Sequence, residues 1–77
     1  MVFYKLPSLR AKKVIKILKK AGFVCVRQKG SHAVMKHHIN NLRTVVPVHP
    51  RETLQKALLV QIISQAGLTV DEFLDLS

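Results

Sequence analysis

His32 is the residue best placed to do chemistry. It follows the pair Gly30-Ser31, with Arg27 and Lys29 just before it and Lys36 four residues after it. A neutral imidazole takes or gives a proton near pH 7, because its reference pKa is about 6.5. Cations beside it can hold a phosphate and stabilise charge that develops there. The hydroxyl or N–H of Ser31 can orient the same group. One histidine in a cluster of cations therefore suits acid–base work on a phosphate ester, and it needs no metal ion.

The surrounding residues say how such a cluster is positioned. Phe23 to Gln28 is β-prone, with Val24, Cys25 and Val26 at its centre, and His32 to His37 forms a second run. Gly30 between them is the residue most able to take positive φ in a tight turn. The reading is a hairpin that turns at Gly30 and presents His32 at the start of its return strand. Strand periodicity puts His32 and Lys36 on one face. Arg27 reaches that face from the paired strand if the register allows. His37 and His38 are neighbours and, as strand residues, face opposite sides. They form a poor chelating pair, though His37 can support the site. No cysteine cluster or helical His-Glu motif accompanies them, so no metal and no cofactor are expected.

Helices flank the hairpin. Ser8 is a good N-cap, and Ala11, Val14, Ile15 and Leu18 make one apolar stripe, which predicts a helix over Leu9 to Ala21. Lys12, Lys13, Lys16, Lys19 and Lys20 lie opposite. Gly22 is placed as its C′ residue, with Phe23 folding back on Leu18. Asn40-Asn41 marks a turn into a third strand, Leu42 to Val48, where Pro47 requires an edge or a strand end. His49 to Glu52 connects to a second helix that starts between Thr53 and Ala57 and ends near Ala66. Leu58, Leu59, Ile62, Ile63 and Ala66 form its buried face, and His49 orders the turn before it. Val60 falls off that face, which predicts a helix sunk deep or covered by a partner. Gly67 ends it. Thr69 to Glu72 reads as a capping box, with Leu68 and Phe73 as a hydrophobic staple, so a short helix of about Val70 to Leu74 follows. Met35 reads as core filler. Phe3 and Tyr4 pack beneath the sheet or a helix, or stack on bases.

Composition limits what this chain can be. The 77 residues suit a single domain, residues 1–77, with one small core. One cysteine, Cys25, excludes an internal disulfide, suits a buried position and fits a reducing cytoplasm. The segment Met1 to Leu9 lacks the apolar run of a signal peptide, and no stretch approaches the roughly 20 apolar residues of a membrane span. The formal net charge is +9. Residues 1–51 hold 12 of the 13 Lys and Arg and no acid, while residues 52–77 hold Lys56 and all 4 acids. Such a basic body favours a polyanion, with RNA or DNA first; the plain alternative is a solvated basic surface.

Several segments together resemble one family. Lys20-Ala21-Gly22-Phe23 is followed by Arg27-Gln28-Lys29-Gly30-Ser31-His32, then Val46-Pro47-Val48-His49, Gln65-Ala66-Gly67-Leu68 and Glu72-Phe73-Leu74. In this order and spacing they resemble the HicA family of bacterial toxins, also called YcfA-like proteins. The resemblance implies an α+β fold like the double-stranded-RNA-binding domain: α-β-β-β-α, a three-stranded antiparallel sheet with helices packed on one face, and here a short extra C-terminal helix. It implies the toxin of a type II toxin–antitoxin system, a metal-independent endoribonuclease that cleaves mRNA and is held inactive by a HicB antitoxin. The family's catalytic histidine follows the Gly-Ser pair, which is His32 here. Family members often carry Gly-Thr-Leu at the start of the second helix, where this chain has Ala57-Leu58-Leu59.

In that chemistry the RNA 2′-hydroxyl attacks the adjacent phosphate. His32 serves as acid or base. Arg27, Lys29, Ser31 and Lys36 bind phosphate, and Gly30 and His37 support them. The second proton transfer falls to water or to another histidine. The other reading from the same fold and charge is a non-catalytic RNA-binding module. A domain that binds only protein is a third.

Overall fold

The computed structural model describes residues 6–77. Its elements run α1 (Ala11–Lys20), β1 (Phe23–Lys29), β2 (His32–His37), β3 (Arg43–Pro47), α2 (Lys56–Gln65) and α3 (Val70–Asp75). The strands form an antiparallel sheet in the order β1-β2-β3. This is the α-β-β-β-α architecture expected, with the small third helix. Phe3 and Tyr4 lie outside the described residues.

Burial alternates along β2 and β3. Ala33 and Met35 on β2 and Thr44 and Val46 on β3 are buried. Met35, Val46 and Phe23 meet Val14, Ile17 and Leu18 of α1 and Leu59, Ile62 and Ile63 of α2 in one cluster, which Phe73 of α3 joins. The helices therefore cover one face, and the other is open, the usual division for an antiparallel sheet. Met35 is core, as its type suggested. Thr44 is the buried polar exception; its Oγ1 donates to Gln65 Oε1 at 2.7 Å and ties β3 to α2.

Several expectations are corrected. Helix α1 begins at Ala11, and Ser8 is not its cap. The N-cap Arg10 is extended and bridges Thr53, while Leu54 N–H donates to the Leu9 carbonyl. Pairing with the segment before α2 keeps residues 9–10 out of the helix. The buried stripe includes Ile17, and Ile15 sits at its half-buried margin. Cys25 is exposed, because β1 is an edge strand. Val60 is half-buried against the core, and α3 packs back on α2. The uncovered apolar surface lies elsewhere, at Val24, Val26, Val45, Ile39 and Leu42.

Helix α2 starts at Lys56 after Gln55, which makes no side-chain cap bond. Its end is a complete Schellman motif: Gly67 N–H donates to Ser64 and Leu68 N–H to Ile63. Helix α3 carries the expected capping box between Thr69 and Glu72. Asn41 takes φ 62°, as a turn asparagine can, and Asn40 Oδ1 accepts from Leu42 N–H. Both helix-ending glycines abut this β2–β3 turn. A Cβ on Gly22 would stand 2.6 Å from His37 Nε2, and one on Gly67 would stand 2.8 Å from Leu42 Cδ1.

Gly22 and Gly30 thus separate two effects. Both have positive φ, but a Cβ on Gly30 would meet nothing within 4 Å. Gly30→Ala should cost about 1 kcal/mol of backbone strain. Gly22→Ala should cost about 2 kcal/mol or more, since it also displaces the His37 ring and its hydrogen bond. Urea denaturation of the two variants measures the difference; equal losses would mean that the contact with His37 carries no energy.

Candidate active site on the open sheet face

The open face is best described as three rows across the strands. The register aligns Lys29, His32 and Pro47 in the first row, Arg27, Val34 and Val45 in the second, and Val24, Lys36 and Arg43 in the third. Residues directly opposite in antiparallel strands share a face. His32, Lys29, Arg27, Val24, Arg43 and Val45 are exposed, and Val34, Lys36 and Pro47 are half-buried. Arg27, Lys29, His32, Val34 and Val45 line a depression of about 440 Å³.

Strict alternation would not produce these rows. Phe23 is buried on the helix side, so residues 25, 27 and 29 would follow it there. The register shifts between Cys25 and Arg27, and Val26 is left without a partner on β2. This bulge resets the parity of the strand. It turns Arg27 and Lys29 out beside His32. The sequence reading left Arg27 dependent on the register and did not find the bulge. The available signal was a conflict: one strand carries a core phenylalanine and two cations at positions of the same parity.

The turn is short. Lys29 pairs with His32, leaving Gly30 and Ser31 as the loop, with φ 57° at Gly30. Positive φ at the first loop position is what a type II′ hairpin turn requires. The Ser31 carbonyl accepts from Val48 N–H, which fastens this turn to the end of β3. His32 therefore stands on paired strands one residue from a clamped turn.

The other expected members divide into near and far. Lys36 shares the face, but four strand residues place it about 13 Å from His32. His37 does not join the site. It lies on the helix side, where its Nε2 is 3.0 Å from the Ala21 carbonyl. Its Nδ1 accepts from the N–H groups of Ile39 and Asn40 at 3.1 and 3.2 Å. The neutral Nε2–H tautomer satisfies all three partners. Its ring meets Phe23 edge-on and stacks on His38, with centroids 5.1 Å apart in each case. His38 lies beyond the strand, so the two rings do not face opposite sides. His37 is thus a structural pin between α1 and the β2–β3 turn. His49 is exposed, and its backbone carbonyl accepts from Glu52 N–H in the turn it was expected to order.

Among the described residues, no three His, Cys, Asp or Glu gather as a group that could hold a metal ion. A groove of about 560 Å³ between α1 and β1 is lined by Lys12, Ile15, Lys16, Lys19, Gln28 and Val48, among others. It offers charge without a proton-transfer group, and it opens on the helix side of the sheet. The lysines of α1 therefore do not share a surface with His32.

A family model described as HicA toxin of bacterial toxin–antitoxin systems matches residues 11–68. The chain belongs to the HicA toxin family. The match spans α1, the whole sheet and α2, so it includes every residue of the three rows. Comparison with curated proteins gives no match. Membership makes this chain the toxin side of a toxin–antitoxin pair and implies an antitoxin partner. No helix among the described residues is long and apolar enough to cross a membrane.

The two histidines of β2 should respond oppositely to removal. His37→Ala should destabilise the protein by about 3 kcal/mol, from net losses of about 1 kcal/mol at each of its three hydrogen bonds. His32→Ala should change stability by less than about 0.5 kcal/mol, as exposed substitutions do. Chemical denaturation of both variants checks this, and a larger loss for His32→Ala would assign the pin to the wrong residue.

Proposed function

We propose that this HicA-family chain is a metal-independent endoribonuclease that cleaves mRNA, with His32 as its single catalytic histidine. The observation that carries the reading is the first two rows of the open face: an exposed imidazole flanked by Lys29 and Arg27 in one depression. A phosphodiester seated there meets two cations and one proton-transfer group. His32 takes the proton of the attacking 2′-hydroxyl or supplies one to the leaving oxygen. Lys29 and Arg27 stabilise the charge that develops on the phosphorus oxygens. Ser31 and Gly30 contribute by fixing the turn that sets the position of His32. Water or a second histidine completes the other proton transfer. The same feature favours the alternative, an RNA-binding module that does not cut.

The deciding experiment is cleavage of single-stranded RNA in EDTA. Wild type should cut, and His32→Ala should cut at least about a hundredfold more slowly, with its fold and RNA affinity retained. Binding without cleavage by the wild type would select the RNA-binding module. Cleavage that needs added divalent metal would reject the chemistry.

A ribonuclease of this kind requires an inhibitor, and we infer a HicB-like antitoxin in a 1:1 complex. Complementary charge would make its contact surface acidic. The exposed valines Val24, Val26 and Val45 give it apolar area on the sheet that carries His32. Titrating the product of the adjacent gene should abolish cleavage at one equivalent. Tight binding with cleavage unchanged would show that the antitoxin leaves His32 uncovered.

A further inference from the structure

We propose that Lys36 and Arg43 form a second phosphate-binding subsite, and that Val34 and Val45, between it and His32, take the flat face of one unstacked nucleobase. The ligand is then a single-stranded oligonucleotide that spans at least two phosphates. The proposal rests on the ribonuclease reading of the same face.

Lys36 and Arg43 are directly opposite on neighbouring strands. Like charges so placed weaken a sheet. An anion held between them removes that cost. Their row lies about 13 Å from His32, two rows along the strands. A phosphate at His32 cannot fill both places, but a chain of phosphates can.

The middle row fits the segment between. Val34 is half-buried and Val45 is 39% exposed, between two rows that carry cations. An apolar shelf does not suit a phosphate and does suit a base plane. Arg27 flanks Val34 across the ladder, where its guanidinium can stack on the same base. In a duplex the base planes are stacked inside the helix and cannot reach the shelf. The geometry therefore selects a single strand.

The test uses 2′-O-methyl oligonucleotides, which lack the nucleophile and cannot be cut. A dinucleotide with one phosphodiester and a hexanucleotide are titrated, with binding read from the NMR shifts of His32 and Val45. The hexanucleotide should bind wild type about tenfold or more tightly than the dinucleotide, the size of one charge-assisted hydrogen bond. The double variant Lys36→Ala, Arg43→Ala should lose that gain and keep its affinity for the dinucleotide. Its slope of log affinity against log salt for the hexanucleotide should fall by about 0.7 for the phosphate released. Arg43→Lys, which keeps the charge, should retain most of the gain. One abasic position in the hexanucleotide, and no other, should cost as much as loss of the shelf contact. Equal weakening of both probes by the double variant, or none, overturns the subsite. If binding follows this pattern while unmodified RNA is not cut, the subsite stands and the ribonuclease reading fails.

Discussion

Strand β1 must bring Phe23 into the core and Arg27 and Lys29 out of it, and strict alternation over positions of equal parity cannot do both. The unpaired Val26 resolves the conflict by adding one residue to β1 opposite β2. A bulge costs a local disruption of the ladder. Here it turns two cations from the covered face to the face that carries His32. Without it, Arg27 would point toward the helices, where a guanidinium has no acid to meet within residues 1–51. The composition of the site thus follows from the parity of one strand.

The two histidines of β2 are used differently by the fold. His37 spends its ring on three backbone groups and sits against Gly22 at the end of α1. His32 spends none that the described structure shows, and stays exposed. The hairpin is held at both ends: by the Ser31 carbonyl and Val48 N–H at one, and by His37 at the other. The backbone that carries His32 is thus fixed at both ends of its strand, while its ring stays at the surface.

The open face is also where this small protein leaves apolar area uncovered. Its core uses both long helices and the inner residues of three strands, and nothing remains in the described chain to cover the outer valines. Exposed apolar residues in a field of cations are a poor resting surface and a good binding one. RNA and an acidic antitoxin would each supply the missing negative charge, and each would bury part of the same area. Inhibition by occlusion then needs no conformational change in the toxin.

Much was legible in the sequence because local rules decide it. The order α-β-β-β-α, the turn at Gly30, the turn at Asn40-Asn41, the capping box at Thr69 and the Gly67 ending follow from periodicity and from residues with restricted backbone preferences. The chain also showed that His32 stands among cations. What it did not show depends on partners distant in sequence. Ser8 looks like a cap, but Arg10 is held extended by Thr53. Cys25 looks buried by type, but β1 is an edge strand. Val60 lies off the apolar stripe, which leaves open a helix sunk deep or one covered by a partner; the packing of α2 decides for the first. His37 looks like a member of the site, but its ring lies on the other side of the sheet. Above all, spacing fixed which residues are near His32 along the chain, while the bulge and the register decided which of them share its face. Side-chain direction in a strand changes with every inserted residue, and only pairing against β2 counts that residue.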